Sequence, residues 1–377
     1  MKLFDVYPLY NVEPTKAEGC YVFDKEGKKY LDLYGGHAVI SIGHSHPHYV
    51  KSLKDQLDKI GFYSNSIQNS LQLKLAESLG RISGCEDYQL FLCNSGAEAN
   101  ENALKVASFV TGKSKVIAFE NGFHGRTSAA VAATHNPKIQ APINNQQEVV
   151  FLPLNDINKV KSELAKNETC AVIIEPIQGV GGLDMPEAKF IKEVESLCKQ
   201  YDTMLILDEV QSGFGRSGKF FAHQYWDIKP DIISIAKGMG NGFPVGGILI
   251  SDTIEASYGM LGTTFGGNHL ACAATQAVLD VIEEEGLIEN TNEMGAYLKE
   301  KLANISQIKQ IKGSGLMLGL EFDFEIANLR RILIYDYQIF TGGSANKKLL
   351  RILPPLTITK KKIDLFVVAL QKALITD

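Results

Sequence analysis

Long apolar runs are missing from the 377-residue chain: no segment approaches the roughly 18 consecutive apolar residues that a membrane-spanning helix needs. Cysteine is sparse. The six, at positions 20, 85, 93, 170, 198 and 272, form no CxxC pair and no dense framework, so they read as reduced, mostly buried thiols rather than a disulfide scaffold. A basic excess is also absent, with a formal net charge of −5 and a pI near 6.0, which gives no general attraction to nucleic acid. The one tight basic run, Lys360-Lys361-Lys362, reads as a solvated helix start. At the N-terminus, Met1-Lys2-Leu3-Phe4-Asp5 places an acid where a signal peptide would have its apolar region. A cytoplasmic protein is therefore expected, with neither a membrane nor nucleic acid as partner. The chain has no low-complexity tract and no internal repeat, and its glycine-rich segment Gly179–Gly182 has neither the GxGxxG spacing nor that of a P-loop.

What is present is the composition of an ordinary globular protein, 45% hydrophobic and 21% charged. At this length one core stops growing, so two domains are expected. Tyr21-Val22-Phe23 and Tyr30-Leu31-Asp32-Leu33, joined by Asp24-Lys25-Glu26-Gly27, predict a hairpin. From Gln68 to Asn268, continuous apolar strands alternate with helical spacings, as in Val116–Phe119, Ala171–Ile174 and Met204–Leu207. That alternation predicts an α/β fold with a mostly parallel sheet covered on both faces. After Asn268 the pattern predicts helices at Ala271–Glu285 and Asn290–Ala303. Short strands are expected around Gly315–Phe322, Ile332–Ile334 and Leu349–Leu353, and a last helix near Lys361–Leu374. The expected division is a large domain over residues 46–270 and a smaller α+β domain built from residues 1–45 and 271–377.

Two strand ends carry the candidate chemistry. Met204–Leu207 delivers Asp208-Glu209-Val210-Gln211, and Asp231–Ala236 delivers Lys237, followed by Gly238, Gly240 and Gly242. Pyridoxal phosphate requires an acid and a lysine so placed, the lysine to bond it and the acid to face its pyridinium nitrogen. The competing readings are a surface lysine and a helix-capping aspartate, and the apolar strand before Lys237 and the glycines after it disfavour the first. Gln89–Cys93 ends at Asn94-Ser95-Gly96-Ala97 and opens a helix, a geometry that offers backbone N–H groups to an anion; a simple tight turn is the alternative. His44, His46 and His48 alternate, but Pro47 argues against a strand there, so a turn into a helix is preferred over a metal site, and no metal is expected.

Taken together, Gly43-His44-Ser45-His46-Pro47, Asn94–Asn100, Phe123-His124-Gly125-Arg126, Glu175-Pro176-Ile177-Gln178-Gly179, Asp208–Gln211, Ala236-Lys237-Gly238 and Thr264–Asn268 resemble the motifs of the class III, fold-type I aminotransferases. The match is in family order and spans nearly the whole chain. The resemblance implies pyridoxal 5'-phosphate as cofactor, with Lys237 bonding it and moving the proton, and Asp208 facing the pyridine nitrogen. It further implies that Gln211 bonds the phenolic oxygen, that Val210 and Phe123 cover the two ring faces, and that Ser95, Gly96 and Ala97 hold the phosphate. Thr264 would reach the phosphate of a partner subunit, which implies a homodimer. Arg126 and Arg351 are implied to bind substrate carboxylates, for which a planar guanidinium is suited.

Within the family the sequence is most similar to the enzymes that act on acylated ornithine. The reaction so implied moves the terminal amino group of an Nα-acetyl- or Nα-succinylornithine to 2-oxoglutarate, giving the semialdehyde and glutamate in arginine biosynthesis. Ornithine, 4-aminobutyrate or another ω-amine, and aminomutase chemistry on the same residues, stay open. Two positions depart from the family pattern: Val180 stands where a glutamate usually pairs with the Arg351 position, and His269 where proline is usual. Valine leaves Arg351 available throughout, or paired elsewhere. Two competing classes are a nucleotide-binding α/β protein using Gly179–Gly182, which lacks the fingerprint spacing, and a non-catalytic protein of the same fold, which would have been expected to lose Lys237 or Asp208.

Overall fold

The computed structural model describes residues 1–376. The chain opens with three short strands, β1 (Pro14–Glu18), β2 (Tyr21–Asp24) and β3 (Lys29–Asp32), paired antiparallel in sequence. The Asp24–Lys28 turn is closed by the Asp24 carboxylate, whose Oδ1 accepts the N–H groups of Glu26 and Lys28. Pro47 then starts the helix Pro47–Leu57.

The main sheet has seven strands: β4 (Tyr88–Cys93), β5 (Lys115–Phe119), β6 (Val149–Leu152), β7 (Thr169–Ile174), β8 (Met204–Asp208), β9 (Ile232–Ile235) and β10 (Gly246–Ser251). Their order is β4-β10-β9-β8-β7-β5-β6. All pairs from β9 to β6 are parallel, whereas β10 runs antiparallel to both its neighbours. Strands β5, β7 and β9 are buried along their whole length, and this explains why they read as nearly continuous apolar runs. One face packs on Gly96–Thr111 through Ala99, Ala103, Val106 and Ala107. The other packs on Ala188–Gln200 through Phe190, Ile191, Val194 and Leu197. The small alanine side chains let the first helix lie close to the sheet, and that closeness carries its N-terminus to the carboxyl ends of the strands.

Beyond the long helix His269–Glu284, a three-stranded sheet forms from β11 (Gln310–Ser314), β12 (Met317–Glu321) and β14 (Leu349–Ile352), while β13 (Ile339–Phe340) joins β3 in parallel and makes the N-terminal sheet four-stranded. The strand expected over Gly315–Phe322 is β12, and it forms a hairpin with the preceding β11 that turns at Gly315, φ +56. Ile332–Ile334 is not a strand but lies in the helix Ala327–Tyr335. Three β-branched or branched residues in a row suggest a strand, yet the buried set Leu329, Ile332 and Leu333 repeats at helical spacing, and tertiary burial decides between the two. Among the described residues no helix is long and apolar enough to cross a membrane.

Candidate active site

Parallel strands end on one side of the sheet, and their loops enclose a cavity of about 370 Å³. Asp208, at the end of β8, and Lys237, just past β9, face it from adjacent strands. Asp208 is 4% exposed. Its Oδ2 accepts Nδ2 of Asn100 at 2.8 Å and stands 2.7 Å from Nδ1 of His124, while its Oδ1 accepts the Val210 N–H at 3.1 Å. Asn100 is itself oriented: it donates to the His124 carbonyl at 2.7 Å and accepts the Ser234 hydroxyl at 2.5 Å. Ser234 is the β9 residue paired with Asp208, so strand register places the support directly beside the acid. Burial alone would push the His124 pKa down, but the hydrogen bond and charge of Asp208 outweigh it and hold the ring above its ordinary value.

Lys237 has φ +49, a left-handed conformation uncommon for a residue with a side chain. Its pKa is lowered, first by burial and then by Arg351, against the opposing pull of Asp208 and Glu175. A lysine that loses its proton easily thus faces a carboxylate fixed in place by Asn100 and His124.

The cavity also has an anion-binding end. Ser95 caps the helix Gly96–Thr111, its Oγ accepting the Glu98 N–H at 3.2 Å, and the first N–H groups of a helix have no intrahelical acceptor. A Cβ on Gly96 would come within 2.6 Å of Val210 Cγ1, so glycine is required for Val210 to lie against this turn. Phe123, Val210 and Gln211 line the space between the anion end and Lys237. Helix N-terminus, apolar walls, paired acid and desolvated lysine fit a flat, phosphorylated, cationic heterocycle.

Arg126 lines the same cavity, its guanidinium carbon 6.0 Å from the Phe123 ring centre. Arg351 does not. It sits on β14, 3% exposed, and donates to the carbonyls of Gly179 at 2.7 Å and Gly343 at 2.5 Å and to Gln211 Oε1 at 3.3 Å. Among the described residues no carboxylate pairs with it. Val180 lines the cavity, and its carbonyl accepts the Ala345 N–H at 2.8 Å. Thr264 is exposed, outside the cavity of its own chain. His269 is the first residue of its helix, after the capping Asn268, a position where proline is also well accommodated because its N–H is not needed.

The three alternating histidines go to three different carboxylates: His44 to Asp32 at 2.8 Å, His46 to Glu285 at 2.8 Å and His48 to Asp280 at 3.0 Å. No group of three metal donors occurs among the described residues.

Some contributors carried no assigned role in the sequence. Asn100, His124 and Glu175 all lie inside the motifs, so a signal existed, but only the fold shows what they touch. The segment Gly35–Ala38 offered less. All four residues have positive φ, from 54 to 67, a left-handed turn that sets His37 Nδ1 2.6 Å from the Tyr34 hydroxyl. Burial first, and then Arg351, Lys237 and Arg330, bring the His37 pKa down to about 4.

Residues 6–374 match the family model described as aminotransferase class-III. The chain is 41% identical to the acetylornithine aminotransferase of Bacillus subtilis, over 99% of this chain and 97% of that one. It is 39% identical to the acetylornithine aminotransferase of Methanosarcina acetivorans, over 98% and 94%. Among solved structures, the ornithine aminotransferase of Toxoplasma gondii superposes with a TM-score of 0.90 at 26% identity, covering 98% of this chain and 91% of the other.

Proposed function

The chain belongs to the class-III aminotransferases, and from that premise we propose that it transfers the terminal amino group of an Nα-acylated ornithine to 2-oxoglutarate. It is a pyridoxal-phosphate-dependent transaminase. The observation that carries the reading is the placement of Lys237, desolvated and readily deprotonated, across one cavity from the buried, doubly held Asp208.

When bound, the cofactor supplies a sink for the electrons left on the substrate carbon when a proton departs. Lys237 Nζ takes and returns that proton. A desolvated amine spends more of its time uncharged, which a base requires. Asp208 would face the ring nitrogen of the bound cofactor, and Asn100 and His124 keep its carboxylate from turning away. Ser95 and the Gly96 and Ala97 N–H groups would hold the phosphate at the helix start. Val210 and Phe123, which line the cavity, would enclose the ring, and Gln211 would bond its phenolic oxygen.

The donor's terminal amine must reach Lys237 while its other end stays near the cavity mouth. Arg126, lining the cavity and cationic, is placed to take a carboxylate there. Arg351 is held by carbonyl and amide oxygens rather than by an acid, so it need not break an ion pair before 2-oxoglutarate or glutamate arrives. Val180, an apolar residue next to the Gly179 carbonyl that Arg351 contacts, offers the guanidinium no acid. The similarity to acetylornithine aminotransferases at about 40% identity supports the acylated donor. Free ornithine is the second reading, favoured by the close superposition on an ornithine aminotransferase. We also propose a cytoplasmic homodimer in which Thr264 completes the partner's phosphate site.

Titration of the visible cofactor band with Nα-acetylornithine, Nα-succinylornithine, ornithine, 4-aminobutyrate and glutamate decides among the donors. An acylornithine should discharge the band at the lowest concentration and glutamate should do so independently. Preference for ornithine or 4-aminobutyrate would replace the substrate assignment, and failure to transfer nitrogen to 2-oxoglutarate would point to aminomutase chemistry. Val180→Glu should weaken glutamate more than the acylornithine, because it gives Arg351 a competing acid.

A further inference from the structure

Glu175 follows β7 directly and is 6% exposed, yet its carboxylate neither caps a helix nor pairs with a cation. Both of its oxygens are taken by backbone. Oε1 accepts the Phe123 N–H and Oε2 the Gly179 N–H, each at 2.8 Å. Those two amides belong to two different loops, which also meet where Gln178 Nε2 donates to the Glu120 carbonyl at 2.8 Å. Phe123 is the aromatic wall, and Gly179 passes its own carbonyl to Arg351 Nη1 at 2.7 Å. One buried carboxylate therefore joins the aromatic plate to the anchor of the deep arginine.

We propose that Glu175 is a positioning residue that clamps the Phe123 loop and the Gly179 loop together, setting at once the grip on the cofactor ring and the place of Arg351. The proposal rests on the transaminase reading of the cavity. Its chemistry, above about pH 7 where it is ionised, is that of an acceptor-only group: a carboxylate accepts at both oxygens, whereas an amide of the same shape offers one acceptor and one donor. Glutamine at this position would turn an N–H toward a backbone N–H, so one loop must let go. Aspartate would keep the charge but, one methylene shorter, could not span both amides. The site needs both the charge and the length.

The space around Gly179 adds to the case. A Cβ there would fall within 2.5 Å of Gln211 Oε1, so the loop is held close against the cofactor's expected partner and has little room to shift. Glu175 also sits close enough to Lys237 and Asp208 to influence charge at both. Burial chiefly raises its own carboxyl to about 7, against the pull of His124 and the two amides.

Three proteins test this: wild type, Glu175→Gln and Glu175→Asp, each judged by cofactor dissociation constant, by the pH titration of the visible band, and by KM against kcat. Both variants should bind pyridoxal phosphate about tenfold more weakly, the order expected from losing one hydrogen bond to a charged group. Both should raise KM for 2-oxoglutarate several-fold, through the loosened Arg351 anchor. Only Glu175→Gln should lower the pH midpoint of the band, because only it removes the charge near Lys237. Unchanged affinity and KM in both variants would overturn the clamp, while a wild type with no visible band would overturn the transaminase reading itself. If neither variant folds, amide exchange in the wild-type holoenzyme decides: peptides carrying Phe123 and Gly179 should be protected together, and free exchange at either would refute the bridge.

Discussion

At the residue scale the site is a set of buried charges whose cost is met by specific partners. Asp208 is covered by Asn100, His124 and the Val210 N–H, whereas Lys237 has its charge disfavoured by burial. The sign of the consequence follows. Because the folded state releases the Lys237 proton at lower pH than the unfolded chain does, the unfolded state binds more protons in that interval. The contribution to apoprotein stability therefore rises with pH through it, up to the ordinary lysine range. Glu175, raised to about 7, acts in the opposite sense: the folded state keeps its proton longer, so this contribution falls as pH rises from the ordinary glutamate range through about 7. Lys237→Met should stabilise the apoprotein by about 1 kcal/mol at neutral pH while abolishing the visible band. Thermal melts of both apoproteins check the first outcome, and a lower melting temperature in the variant would contradict it.

At the scale of elements the site depends on a helix lying close to a sheet. The alanines of Gly96–Thr111 permit that approach, and Gly96 permits the turn to meet Val210. Gly96→Ala puts a methyl group 2.6 Å from Val210 Cγ1, and should cost about 1–3 kcal/mol, shared between fold stability and cofactor binding. Equilibrium unfolding with and without the cofactor separates the two shares. Adding Val210→Ala should recover part of the loss, since it removes the atom struck. The helix Ala327–Tyr335 offers a second check away from the site. Leu333 is fully buried in it, so Leu333→Ala should cost about 2–5 kcal/mol with little change in KM for either substrate, read by denaturant unfolding beside steady-state kinetics.

At the scale of the whole molecule, Thr264 is exposed and outside its own chain's cavity, and exposed apolar side chains such as Phe62, Tyr63 and Phe265 lie in the same stretches of surface-forming chain. If Thr264 completes a partner's site, Lys237→Ala in one chain and Thr264→Asp in the other fall on the same site of a mixed dimer. One site then has both defects and the other has neither. Mixing the two variants in equal amounts should restore roughly a quarter of wild-type activity on random exchange of subunits of a two-fold dimer. No recovery, with exchange verified, would mean that each chain works alone.

The sequence by itself determined the main sheet, the cofactor class and the acid and lysine at the strand ends. Unbroken apolar runs such as Ala171–Ile174 have only one comfortable place, inside a sheet covered on both faces, and such a sheet delivers its polar residues to one edge. Tertiary structure alone decided what depended on contacts far apart in the chain. Glu175 meets Phe123 across 52 positions and Arg351 meets Gly179 across 172, and no local period encodes either. The left-handed turn at Gly35–Ala38 and the helix over Ile332–Ile334 were hidden for a related reason: backbone preference is worth about 1 kcal/mol per residue, and burial of the neighbouring side chains outweighs it.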